Sequence, residues 1–235
     1  MTFKESACLF ALTLQGLFSV STMLAQNPDH SNDPRNLRVR AAKARAAGLA
    51  QVEIGPFEGQ PPDVASLDEA VKNHSLFIVT PLTAETRIEN GRDLLTWHKA
   101  RVNTKLSTVP SSELAPLLSS VPVEILPREL PSAPNEIMLL HNGGTALVDG
   151  VTFTEKVLDF PALTVGKDYL CLLLVSADGK VGIMPLGGAG VFEIAAGDTL
   201  RPLAAHPHPV IEDIQRSFAN SLTQLSFHLR QSAGR

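Results

Sequence analysis

A chain of 235 residues, 44% hydrophobic and 19% charged, is long enough for one domain with a real core plus extensions. Twenty Lys and Arg against 24 Asp and Glu leave a net charge of −4, a mildly acidic balance that argues against broad nucleic-acid binding. The only cysteines are Cys8 and Cys171, which excludes a small domain held together by several disulfides.

The N-terminus reads as an export signal. Lys4 precedes an almost wholly apolar run from Ala7 to Leu24, and Ala25 supplies a small residue for cleavage before the polar "QNPDHSNDP". The alternative is an uncleaved anchor, but the run is barely long enough to span a bilayer and holds Gln15 and Gly16. Cleavage would remove Cys8 and leave Cys171 as a single thiol, which suits a bacterial periplasmic or secreted protein. Cys171 lies in "YLCLLLV", with no cationic neighbour, and reads as a buried, inert hydrophobe.

Residues 26–63 form a polar N-terminal segment. Asp33-Pro34 reads as an N-cap followed by a helix-starting proline, and "RNLRVRAAKARAAG" as a basic, alanine-rich helix stopped at Gly48. "GPFEGQPPD" reads as a linker.

Residues 64–204 are expected to form the folded β domain. Ser66-Leu-Asp-Glu69 is a capping-box pattern that opens a short helix to about Asn73. "SLFIVTPL" is of strand length and is ended by Pro81. "TWHKARVNTKL" alternates. His98, Ala100, Val102, Thr104 and Leu106 form an inward row, and Trp97, Lys99, Arg101, Asn103 and Lys105 an outward one. Trp97 is then expected to cover a barrel edge. Val109–Pro134 is a long Pro-, Ser- and Leu-rich excursion, with "VPVEILP" as a further strand candidate. Strands follow at Glu136–Leu140, Val151–Val157, Tyr169–Val175, Lys180–Leu186, "VFEIA" and "LRPLA", separated by turn signals. About eight short strands point to a mainly β fold, a small antiparallel barrel or a sandwich.

Residues 205–235 carry Ile211, Ile214, Phe218, Leu222, Leu225 and Leu229 at three- and four-residue spacing. This is an amphipathic helix of about five turns, expected to pack on the barrel.

Chemistry is sparse. "HNGG" (His141–Gly144) could be an oxyanion loop, but no G-x-S-x-G nucleophile elbow occurs, and Asn142-Gly143 is a hairpin dipeptide. "GGAG" at Gly187–Gly190 could hold phosphate only if it opened a helix; it runs into a strand and reads as a flexible turn. His206 and His208 could supply two metal ligands, short of the three or four a site needs.

Six blocks in order — "SLDEAVKNHSLFIVTPL", "TWHKARVNTKLS", "NEIMLLHNGGTALVDGVTFTE", "DFPALTVGKDYLCLLL", "GAGVFEI" and "SFANSLTQLSFHL" — resemble an uncharacterised family of secreted bacterial proteins. The resemblance spans about residues 64–232. It implies a signal peptide, a small OB/netrin-like β-barrel and a C-terminal helix, and it brings no catalytic, cofactor-binding or metal residues. Netrin-like inhibitors tether their N-terminus by disulfides, and this chain lacks those cysteines.

The expectation is an exported, non-enzymatic module that binds a protein or cell-envelope component through the 109–134 loop and the exposed barrel rows. It takes no nucleic acid and no cofactor, and has no membrane span once the signal is cleaved. The alternatives are a hydrolase of envelope material, bringing together groups such as His98, His141, Glu155 and Asp159, and a metal-binding protein using His206 and His208.

Overall fold

The computed structural model describes residues 33–57, 64–109, 111, 114, 126–127, 129–157, 160 and 162–233. The expected signal, the last part of the linker, most of "VPVEILP" and Asp159 lie outside the described residues.

Helix α1 (Leu37–Ala46) buries Leu37, Ala41 and Ala44, one stripe at helical spacing. Its cap is Asn36, whose side chain accepts from the Arg38 amide at 2.9 Å, and not Asp33. Asp33 is taken up by the Arg35 amide at 2.8 Å and by Arg92 at 3.3 Å. Strand β1 (Gln51–Phe57) runs through the start of the expected linker. Helix α2 (Leu67–Asn73) opens as its sequence indicates. Ser66 accepts from the Glu69 amide at 3.2 Å, and Glu69 reaches back to the Ala65 amide at 2.9 Å.

Strands β2 (Ser75–Glu89) and β3 (Asp93–Ser107) form a long hairpin about a tight turn at Asn90 and Gly91, both with positive φ. Pro81 does not end β2. The register slips between Pro81 and Thr83, so the proline sits at a bulge where its missing N–H is tolerated. Then come β4 (Glu136–Asn142), β5 (Gly144–Val148), β6 (Val151–Val157), β7 (Tyr169–Val175), β8 (Val181–Ile183), β9 (Val191–Ala195) and β10 (Thr199–Pro202).

Seven strands join in the order β10-β9-β7-β2-β3-β4-β8, and β8 also pairs with β7. The ring β2-β3-β4-β8-β7 therefore closes on itself, with β4 and β8 its parallel pair. Numbered within the ring, the order is 1-2-3-5-4, the connectivity of an OB-type barrel. Closure leaves these five strands without a continuous open edge. A second sheet, β1-β6-β5, stands beside the barrel with α1 packed against it.

The barrel interior is filled by Phe77, Ala100, Leu139, Tyr169, Cys171 and Leu173, among others. Each large apolar side chain buried in this way contributes about 1.5–3 kcal/mol. Gly182 of β8 faces inward with no room to spare: a Cβ there would stand 3.1 Å from Ile137 and Leu139.

Two outer faces are also covered. On β2, β7 and β9, Leu76, Leu172 and Phe192 pack under α2 and the C-terminal helices. On β3, β4 and β8, Trp97, Met138, Leu140 and Ile183 pack with Leu114 and Leu126 of the long excursion. Trp97, expected at a barrel edge, is only 1% exposed. Period-two alternation places it on the outer face, but alternation does not say what lies over that face.

The inward row of β3 also changes sides. Ile78 pairs with Thr104 and Val79 with Val102, so Asn103 is an extra residue on β3. Beyond this bulge the alternation flips. Leu106 packs with the outer cluster, and the Lys105 ammonium stands 5.5 Å from the Phe77 ring centroid.

The C-terminal stripe is divided between two helices, α3 (Pro209–Phe218) and α4 (Leu222–Ala233). Ala219 and Asn220, both left-handed, break the expected single helix. Among the described residues no helix is long and apolar enough to cross a membrane.

Candidate functional site: a sealed histidine pair

The strands bring His98 and His141 together, 43 positions apart in the chain. His98 shares the inward row of β3 with Ala100, and His141 follows Ile137 and Leu139 along β4. Their Nε2 atoms are 2.9 Å apart, and the rings stack at 5.0 Å and 22°. Phe160 closes over His141 edge-on at 5.0 Å. The residues are 1% and 6% exposed, so the pair lies within the barrel end and not in an open cleft.

The hydrogen bonds fix the tautomers. His141 Nδ1 is 2.6 Å from the Asn142 carbonyl oxygen, which only accepts, so Nδ1 carries the proton. His141 Nε2 is then an acceptor, and His98 Nε2–H donates to it. That leaves His98 Nδ1 unprotonated, and it has no hydrogen-bond partner. Burial holds both rings in the neutral form. It depresses His98 to about 3, with further opposition from His141, and His141 to about 4 against the favourable Asn142 contact.

The neighbouring corner is equally specific. "HNGG" is a turn between two strands, but β4 and β5 do not pair with each other. The chain leaves the barrel here and enters the second sheet. The positive φ values are at Gly143 and Gly144, not at Asn142, so this is not the expected Asn-Gly hairpin turn. The Gly143 amide donates to Leu94 O at 2.7 Å, and Thr96 Oγ1 donates to Gly143 O at 2.7 Å.

Among the described residues, the remaining group of the hydrolase alternative, Glu155, does not join the pair. The Glu155 carboxylate accepts from the Leu94 amide at 2.7 Å, and burial pushes its pKa up. Asp159 lies outside the described residues. His208 caps α3, its Nδ1 accepting from the Val210 amide at 3.3 Å, while His206 is exposed. Among the described residues no three His, Cys, Asp or Glu side chains are grouped to hold a metal. "GGAG" is a buried 3₁₀ turn running into β9, tighter than the flexible turn expected of it. Cys171 is fully buried in the barrel, which drives its thiol pKa up and keeps it from forming a thiolate.

Neither the period of β3 nor the turn motif at His141 signals the pairing by itself. Reading both histidines as inward residues of neighbouring strands was the available clue. In comparisons with known proteins, no family model, no curated protein and no solved structure matches the chain.

Proposed function

We propose that this protein is an exported, non-enzymatic interaction module. It binds a protein or another cell-envelope component through the 109–134 excursion and the exposed rows of the barrel. The carrying observation is the seating of Leu114 and Leu126 over Trp97, Met138 and Leu140 on β3 and β4. In OB-type barrels the second- and third-strand face is the usual ligand surface. Here Leu114 and Leu126 of the excursion pack on that surface, and Leu130 is 55% exposed. The contact is thereby moved from the barrel wall to a loop held on a rigid support. Trp97 is covered and offers no stacking platform, which with the net charge of −4 disfavours single-stranded nucleic acid. The enclosure of His98 and His141 favours a scaffold over a hydrolase. Export rests on the apolar N-terminal run and on the resemblance of the six sequence blocks.

The test is mild crosslinking of the tagged chain with envelope material, followed by identification of what is retained. A stoichiometric envelope component, lost in Leu130→Asp while the circular dichroism is unchanged, is the expected result. Retention of the same component by a chain with every exposed excursion residue replaced, or recovery of the protein alone, would reject the reading.

A further inference from the structure

The geometry points to an acid-released latch: the His98–His141 pair holds the Asn142–Gly144 corner, where the chain passes from the barrel to the second sheet, and protonation of the pair frees that corner. His141 is the last inward side chain of β4 before the chain leaves the barrel. Its ring ties the corner to β3 through His98, and its Nδ1–H ties down Asn142 O.

An added proton has two places to go, and the enclosure opposes both. At His141 Nε2 it sets two N–H groups against each other across 2.9 Å. At His98 Nδ1 it leaves the Nε2 pair bond in place but creates a buried charge and a buried donor for which no acceptor stands among the described residues. Among the described residues nothing nearby compensates the charge. From β2 the pair meets Ala84, across from His98, and from β3 Thr96 and Ala100. The barrel interior that holds Ala100, Leu139 and Phe160 takes Cys171 and Tyr169 from β7. Glu155 of β6 lies at the corner with its backbone carbonyl, while its carboxylate is held by the Leu94 amide. Burial is the main opposition to charge on both rings, and among the described residues no carboxylate favours it.

The folded pKa values lie below the ordinary 6.5, so the closed state binds fewer protons than the open one. Closure is therefore complete above about pH 6.5 and weakens as pH falls towards 4. For one imidazole moving from about 4 to 6.5 on opening, the opening constant rises about thirtyfold between pH 7.5 and pH 5. His74, buried at the end of α2 with its Nδ1 on Ala70 O at 2.8 Å, is also depressed by burial and adds a separate acid sensitivity.

The test is amide hydrogen exchange at pH 7.5 and pH 5, corrected for intrinsic rates, on the wild type and on His98→Gln/His141→Gln, which keeps His74. The latch predicts that protection over residues 138–148 falls at least tenfold at pH 5 while β7 and β9 stay protected. The double variant should lose that pH dependence. Equal protection at both pH values, a drop shared by the whole barrel, or the same pH dependence in the double variant would each overturn it. Should the variant not fold, imidazole NMR of the wild type decides. Titration of both rings together with the corner amide shifts supports the latch; titration with global unfolding alone rejects it.

Discussion

At Gly144 a methyl group has no room. The residue has φ +140°, and a Cβ would fall 2.2 Å from Thr96 Oγ1 and 2.6 Å from Thr86 Oγ1. Those hydroxyls are 3.0 Å apart, and Thr96 also holds Gly143 O, so neither moves freely. Gly144→Ala should lower stability by more than about 2 kcal/mol, seen as a lower urea midpoint at unchanged slope. Gly150→Ala is the control. Its φ is +82°, but nothing lies within 4 Å, so the backbone cost of about 1 kcal/mol stands alone. Sequence marked "HNGG" as a corner because glycine pairs favour turns. It could not show the threonines waiting on β2 and β3, since these meet the corner only once both sheets are assembled.

Between α3 and α4 the break is made by Ala219, φ 49° and ψ 34°, a conformation costly for an L-residue with a Cβ. Ala219→Gly should therefore stabilise the protein by up to about 1 kcal/mol, raising the thermal midpoint by about 2–4 °C. An unchanged or lower midpoint would show that the methyl group's packing outweighs the strain. The helix after the break is capped by the sheet: Asp198, in the β9–β10 turn, accepts from the Thr223 amide at 2.7 Å. In the same way Asp213 of α3 accepts from the Leu67 amide at the start of α2, at 2.8 Å. The apolar spacing that suggested one helix was correct about which face is buried, because both halves present their stripe to the same outer cluster. No glycine or proline marks the break in the sequence.

Across the whole molecule, the single tryptophan reports whether the excursion covers the barrel. Trp97 is 1% exposed, and Leu114 is fully buried beside it in the same cluster. The native protein should emit at short wavelength. Leu114→Ala should shift emission to longer wavelength, increase acrylamide quenching and cost about 2–5 kcal/mol. Emission and quenching unchanged by that substitution would mean the excursion does not shield this face. The cover also explains why the outer side of β3 differs between its two halves. Trp97 packs with Leu114 and Leu126, whereas Arg101 and Asn103 are exposed and hydrogen-bonded to each other at 3.1 Å.

Sequence alone determined what depends on near neighbours: the Ser66–Glu69 capping box, the existence of most strands, the inward position of His98 and the apolar stripe of the C-terminal helices. These follow from backbone geometry with periods of two and 3.6 residues, which local spacing records directly. Tertiary structure decided what depends on partners far along the chain. The parallel pairing of β4 with β8 closes the ring, and β1 pairs with β6 about a hundred positions away in a sheet the sequence did not suggest. The bulge at Asn103 reverses the sides of Lys105 and Leu106 because pairing with β2, and not the β3 sequence, sets the register. The histidine pair is of the same kind. Each ring was legible as one residue on one strand, but the hydrogen bond between them exists only because barrel closure removes water and brings two strands into contact.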